Sequence, residues 1–156
     1  GWVPPQNLHL TLSYIGGASN ILLEDLEDVL SSLGAHAFCM QLRGLNHFTS
    51  KGRSKSIWVG VAEELSLFSL HRKIKNCLQT NRIPRDKRQF SPHVTLARLK
   101  NVRLEDTAGF IAFNNLFKTR SFRIESFTLF ESISKKDGSI YLPLEKFRLI
   151  WRVHRK

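Results

Sequence analysis

Two histidines in this 156-residue chain sit in the same four-residue frame: residues 9–12 read His9-Leu10-Thr11-Leu12 and residues 93–96 read His93-Val94-Thr95-Leu96. Both frames lie in runs rich in Leu, Val and Thr and bounded by turn residues, the composition of short β-strands. Side chains i and i+2 of a strand share a face, so each strand presents one imidazole beside one hydroxyl. Laid side by side, the two strands gather two imidazoles and two hydroxyls. An imidazole titrates near neutral pH, so one ring can take a proton while the other gives one. The hydroxyls can donate hydrogen bonds to oxygens on which negative charge gathers. The chain holds 6 His, 7 Thr and 22 Leu. Random placement then gives about 0.04 expected matches to H-x-T-L, and odds of about one in a thousand for two. His36, His47, His71 and His154 have no such neighbours and read as surface or core residues. No Cys, Asp or Glu stands at ligand spacing near either frame, which disfavours a metal centre.

The elements that must position these frames follow from periodicity. Residues 8–15 read as the first strand, with Leu8, Leu10, Leu12 and Tyr14 toward a core and His9, Thr11 and Ser13 on the other face. Gly16-Gly17 ends it. Residues 21–33 carry Leu22, Leu26, Val29, Leu30 and Leu33 at helical spacing, with Ser19 or Asn20 to cap the start and Gly34 at the C-cap. Residues 37–42 read as a strand, 48–56 as a polar basic loop, and 57–61 as a strand containing Trp58. Residues 65–78 form a second amphipathic helix, with Leu67, Leu70, Ile74 and Leu78 as its stripe. A basic loop over 82–88 leads into the second frame's strand, 92–99. Residues 102–115 hold in part a short helix, and 121–131 read as one long strand. Asp137-Gly138 is a hairpin signal, with 139–149 as the return strand and 151–156 as a basic tail.

The residues around the frames resemble those of the two-histidine (2H) phosphoesterase superfamily, and in particular its bacterial branch of RNA 2′,3′-cyclic phosphodiesterases, also called 2′-5′ RNA ligases. The likeness runs from Trp2 to Leu12, through Phe90-x-Pro92-His93-Val94-Thr95-Leu96-Ala97-Arg98, to Phe127-Thr128-Leu129-Phe130-Glu131-Ser132 with Gly138, Tyr141, Pro143 and Leu144. Members of that family place a strand and a helix before the first frame, whereas Gly1-Trp2 opens this sequence almost on it. The resemblance implies a single α+β domain over 1–156, two-lobed, with antiparallel sheets flanking a central cleft and helices outside. It implies hydrolysis of a 2′,3′-cyclic phosphate to a 2′-phosphate, with His9 as general acid on the 3′ oxygen and His93 as general base on water. Thr11, Thr95 and Arg98 would hold the phosphate. Strict alternation sets Arg98 on the face opposite His93, so it reaches the site only if the strand bends or ends first. The scheme needs neither metal nor cofactor. With a 5′-hydroxyl as reactant the same groups would join RNA ends by a 2′-5′ bond.

Charge agrees with a polyanionic partner: 24 Lys and Arg against 13 Asp and Glu give a net +11. Arg53, Lys55, Arg85 and Lys87 flank the frame-bearing elements and are the expected RNA contacts. Phe90 and Trp58 are candidate base-stacking rings. The partners expected are RNAs with cyclic phosphate ends, tRNA fragments among them, or cyclic nucleotides, bound by a monomer in the cytoplasm. Cys39 and Cys77 read as reduced core thiols. The sequence has no secretory leader and no apolar run near the 18 residues that a membrane helix needs. Other readings keep the site and change the substrate, to a 2′-5′ oligonucleotide or an ADP-ribose cyclic phosphate. A non-catalytic RNA-binding module, or a basic ribosome- or DNA-associated protein, would give up the chemistry.

Overall fold

The computed structural model describes residues 1–17 and 19–151; His154 and the rest of the basic tail lie outside them. In chain order the elements are a 3₁₀ turn at Pro5–Asn7, α1 (Asn20–Ser31), β1 (Phe38–Met40), β2 (Leu42–Ser50), β3 (Arg53–Val61), α2 (Leu65–Thr80), β4 (His93–Arg103), α3 (Leu104–Phe113), β5 (Phe122–Ile124), β6 (Ser126–Lys135) and β7 (Gly138–Arg148). The fold is α+β with antiparallel strand pairs, as the resemblance implied. Among the described residues no helix is long and apolar enough to cross a membrane. The chain divides into two compact units: one holds Gly1–Thr11, Met40–Glu63 and Ser91–Phe122, the other Leu12–Cys39, Glu64–Phe90 and Arg123–Lys156.

The first unit is built on an antiparallel sheet in the order β2-β3-β4. Ile57, Val59, Val94 and Ala97 form its buried face, and α3 packs against all three strands. The expected basic loop over 48–56 is a hairpin. Lys51 and Gly52 both take positive φ, 51° and 71°, and close β2 onto β3. That pair of left-handed residues matches the twist of the flanking strands. Lys-Gly is a weaker signal than Asn-Gly, and the surrounding Ser, Thr, Lys and Arg conceal the alternation.

In the second unit Leu26 and Leu30 of α1, the α2 stripe, Phe38, Phe147 and Leu149 supply the core. Ser19 is the N-cap of α1, its Oγ accepting from the Leu22 backbone N–H at 3.3 Å. The expected strand over 121–131 is two strands, broken at Glu125, whose carbonyl accepts from the backbone N–H of Leu149 at 2.8 Å. β6 and β7 form the predicted hairpin through Asp137-Gly138. Cys39 is exposed and Cys77 half-buried, and both are free. Cys39 is therefore not the core thiol expected of it.

Candidate active site

The first frame is not a regular strand. Leu10 makes a single antiparallel bridge to Val94 of β4, and Trp2 makes another to Ala97. Between them the chain leaves the edge of β4 and turns through Pro5–Asn7. The bridged residues are eight positions apart on one side and three on the other, so a continuous ladder cannot form. Leu8 and Tyr14 are exposed rather than core-facing.

The one bridge is enough to set the geometry. Leu10 opposite Val94, read antiparallel, puts His9 across from Thr95 and Thr11 across from His93. Leu10 and Val94 belong to the α3 side of the sheet, so His9, Thr11, His93 and Thr95 share the other side. In that register the two imidazoles and the two hydroxyls share one sheet face within the first unit.

Each imidazole is held in the same way. His9 Nδ1 lies 2.7 Å from the carbonyl oxygen of Asn7, and His93 Nδ1 lies 2.7 Å from that of Ser91. A carbonyl can only accept, so Nδ1 carries the hydrogen in both rings. When neutral, both rings have their lone pair on Nε2, which is the nitrogen that can exchange protons with a substrate. The two partners are backbone groups two residues upstream, which no side-chain pattern reveals.

Arg98 reaches the same face through an irregularity of β4. Ile57 pairs with Ala97 and Trp58 with Thr95, so Leu96 is an extra residue, a β-bulge. On β3, Gly60, Trp58 and Ser56 alternate onto one face, opposite His93, Thr95 and Arg98 respectively. Three steps along β4 thus match two along β3, and Arg98 joins His93 and Thr95. This satisfies the condition that strict alternation had imposed on it. Gly60 is the position opposite His93; a Cβ there would meet the Arg43 carbonyl oxygen at 3.2 Å and a Trp58 ring carbon at 3.5 Å.

Two aromatic rings adjoin His93. Phe48 meets it edge-on with centroids 5.0 Å apart, Trp58 lies 5.6 Å from it, and Phe48 and Trp58 are 5.3 Å apart. The Trp58 indole N–H is buried with no hydrogen-bond partner. Among the described residues it is the one such side-chain atom, and an unpaired buried donor costs about 1–3 kcal/mol. Phe48 was not among the sequence candidates, because it lay in the stretch read as a loop.

The other candidates divide between the units. Arg53 and Lys55 are exposed on the β2–β3 hairpin, with Lys55 the extra residue of a second bulge. Arg85, Lys87 and Phe90 lie in the second unit. Phe90 is stacked flat on His71 at 3.9 Å and meets Phe68 edge-on, so one of its faces is already covered. His71 and His47 make structural contacts; His47 Nδ1 lies 3.0 Å from the Oγ of the fully buried Ser54. Burial holds the His71 pKa below the ordinary imidazole value, and the charges of Lys75 and Arg85 depress it further. Among the described residues no three His, Cys, Asp or Glu side chains cluster as metal ligands do.

Residues 1–136 match the sequence model of a family described as the 2′-5′ RNA ligase superfamily. An RNA 2′,3′-cyclic phosphodiesterase of Aeropyrum pernix is 31% identical over 144 residues, which are 91% of this chain and 82% of that protein. Among solved structures, TT0787 of Thermus thermophilus superposes with a TM-score of 0.74 at 27% identity, over 95% of this chain and 81% of that one. Escherichia coli LigT complexed with 3′-AMP superposes with a TM-score of 0.72 over 95% and 80%. Its identity is 22%, so this likeness is one of fold.

Proposed function

Because this chain belongs to the 2′-5′ RNA ligase superfamily, we propose that it is an RNA 2′,3′-cyclic phosphodiesterase that opens a terminal cyclic phosphate to a 2′-phosphate. The observation that carries the roles is the matched pair of imidazoles, each held at Nδ1 by a backbone carbonyl and brought to one sheet face by the Leu10–Val94 bridge. His93 Nε2 takes a proton from water as the water oxygen bonds to phosphorus. The bond from phosphorus to O3′ breaks, and His9 Nε2–H delivers its proton to that oxygen. Thr11 and Thr95 donate hydrogen bonds to the non-bridging oxygens, and Arg98 binds them by charge. No step requires a metal. With a 5′-hydroxyl in place of water, the same sequence leaves a 2′-5′ phosphodiester and a 3′-hydroxyl.

Arg53, Lys55, Arg85 and Lys87 are proposed as contacts for RNA beyond the terminal nucleotide, a role supported by the net charge of +11. Phe90 can offer a base only the ring face that His71 leaves uncovered. We place the protein in the cytoplasm as a monomer; its two free thiols fit that setting.

The test is turnover in EDTA of adenosine 2′,3′-cyclic monophosphate and of a short RNA ending in a cyclic phosphate. The wild type should give the 2′-phosphate, and His9→Ala and His93→Ala should each lose at least about a hundredfold in kcat, the usual scale of general acid–base catalysis. A folded wild type that leaves both substrates intact would overturn the reading.

A further inference from the structure

We propose that Phe48, backed by Trp58, is the platform on which the nucleobase of the terminal nucleotide stacks. The inference rests on the reading above and adds to it the part of the substrate that the histidines do not touch.

Phe48 stands on β2 opposite Ser56, which places it on the same sheet face as Trp58, His93, Thr95 and Arg98. Its ring packs at 34° to that of Trp58 and nearly perpendicular, at 83°, to the imidazole of His93. Despite these two neighbours it remains 42% exposed. A large apolar ring left this open beside a reacting group offers a flat surface to a ligand. The ligand's geometry fits. The cyclic phosphate bridges the 2′ and 3′ oxygens of a ribose whose C1′ carries the base. A phosphate at His93 therefore sets the base one sugar ring away, and Phe48 adjoins His93 on that same face.

The placement of Trp58 points the same way. Its ring fills the space between Phe48 and Thr95's strand at the cost of a buried N–H with no acceptor. A phenylalanine there would avoid that cost but would present a smaller backing surface to Phe48. Stacking accepts every base because every base has a π-face, and it favours purines, whose face is larger. The inferred site thus recognises a nucleobase as a class, with purines preferred.

A purely structural role for Phe48, propping His93 in place, is the competing account. Three substrates separate the two: adenosine 2′,3′-cyclic phosphate, cytidine 2′,3′-cyclic phosphate, and 1-O-methylribose 2,3-cyclic phosphate, which has no base. For the wild type, kcat/KM should fall in that order. In Phe48→Ala the ratio of the adenosine to the base-free value should shrink by about 5- to 150-fold, the usual effect of losing one aromatic–base stack. The loss should appear mainly in KM. Phe48→Trp should restore the ratio, whereas Phe48→Leu, which keeps the bulk and the fold, should not. If Phe48→Ala and Phe48→Leu slow all three substrates by the same factor, the platform is refuted and the prop stands.

A direct binding measurement stands apart from turnover. Calorimetry should show adenosine 2′-phosphate binding wild type at least about fivefold more tightly than ribose 2-phosphate, with the difference lost in Phe48→Leu. If no cyclic phosphate is turned over but that difference holds, the hydrolase reading fails and the platform survives. If the two ligands bind equally, the platform is overturned whatever the activity.

Discussion

His71 and Phe90 lie face to face at 3.9 Å, with ring planes 3° apart. Burial, and then the cations of Lys75 and Arg85, disfavour a protonated ring, so the folded protein keeps His71 neutral to a lower pH than the unfolded chain does. The sign of the linkage follows. Below the ordinary value near 6.5, the unfolded state binds a proton that the folded state refuses. Stability from this residue is complete above that value and is lost as pH falls through the lowered one. Thermal melts between about pH 7.5 and 5 should therefore show a smaller acid loss for His71→Gln than for wild type. A parallel decline in both proteins would remove His71 as the cause. None of this was legible in the sequence, since residues 71 and 90 meet only through the tertiary fold. The shared face of His9 with Thr11, and of His93 with Thr95, was legible because i and i+2 alternation is local. The carbonyls that fix both tautomers were not, because they belong to the backbone.

At the scale of elements, irregularity positions the site. The Leu96 bulge turns Arg98 onto the face of His93, and the turn at Pro5–Asn7 brings the Asn7 carbonyl to His9. Alternation alone put Arg98 on the wrong face, and no residue type in Leu96-Ala97 announces a bulge. Gly60 shows how little room the arrangement leaves. A methyl group there would press the Arg43 carbonyl oxygen at 3.2 Å, while the Trp58 ring at 3.5 Å would be in ordinary contact. Gly60→Ala should cost about 1–3 kcal/mol of stability by overpacking, measured by urea unfolding. It should also lower kcat/KM, because Gly60 pairs with His93 and a shift of its backbone reaches that residue directly. Retention of full activity would show that the strain at Gly60 does not reach His93. The helices were easier to read: α1 and α2 bury one stripe each, and periodicity found both to within two residues at each end. The hairpin of β2 and β3 was missed because polar residues occupy its tip.

For the whole molecule the dominant property is charge. The first unit alone carries nine Lys and Arg against three Asp and Glu, and one of those cations, Arg103, is held by Asp106 in two 3.1 Å contacts. A polyanion that lies along this unit releases counterions on binding, so its affinity falls with salt, by about 0.7 in the log–log slope per phosphate contacted on a single strand. Raising KCl from about 50 to 200 mM should weaken a decanucleotide with a cyclic phosphate end far more than a cyclic mononucleotide. Replacing Arg53 and Lys55 together by Ala should reduce the RNA slope by about 1.4 and leave the mononucleotide slope nearly unaltered. An unchanged slope would move the RNA away from the hairpin. Composition points to an anionic partner, and only the fold shows that Arg98 shares a sheet face with His93.

The crosswise pairing of His9 with Thr95 and Thr11 with His93 amounts to a local dyad. A dyad does not distinguish its two ends: on the roles proposed above, half a revolution would offer each ribose oxygen the same acid, base and hydroxyls. The regiochemistry of ring opening would then come from groups that break the equivalence, and Arg98, Phe48 and Trp58 all stand on β2, β3 and β4 rather than on the first frame. Removing Arg98 and Phe48 together should slow the reaction and also admit the inverted pose. Phosphorus NMR of the products should then show 3′-phosphate appearing beside the 2′-isomer.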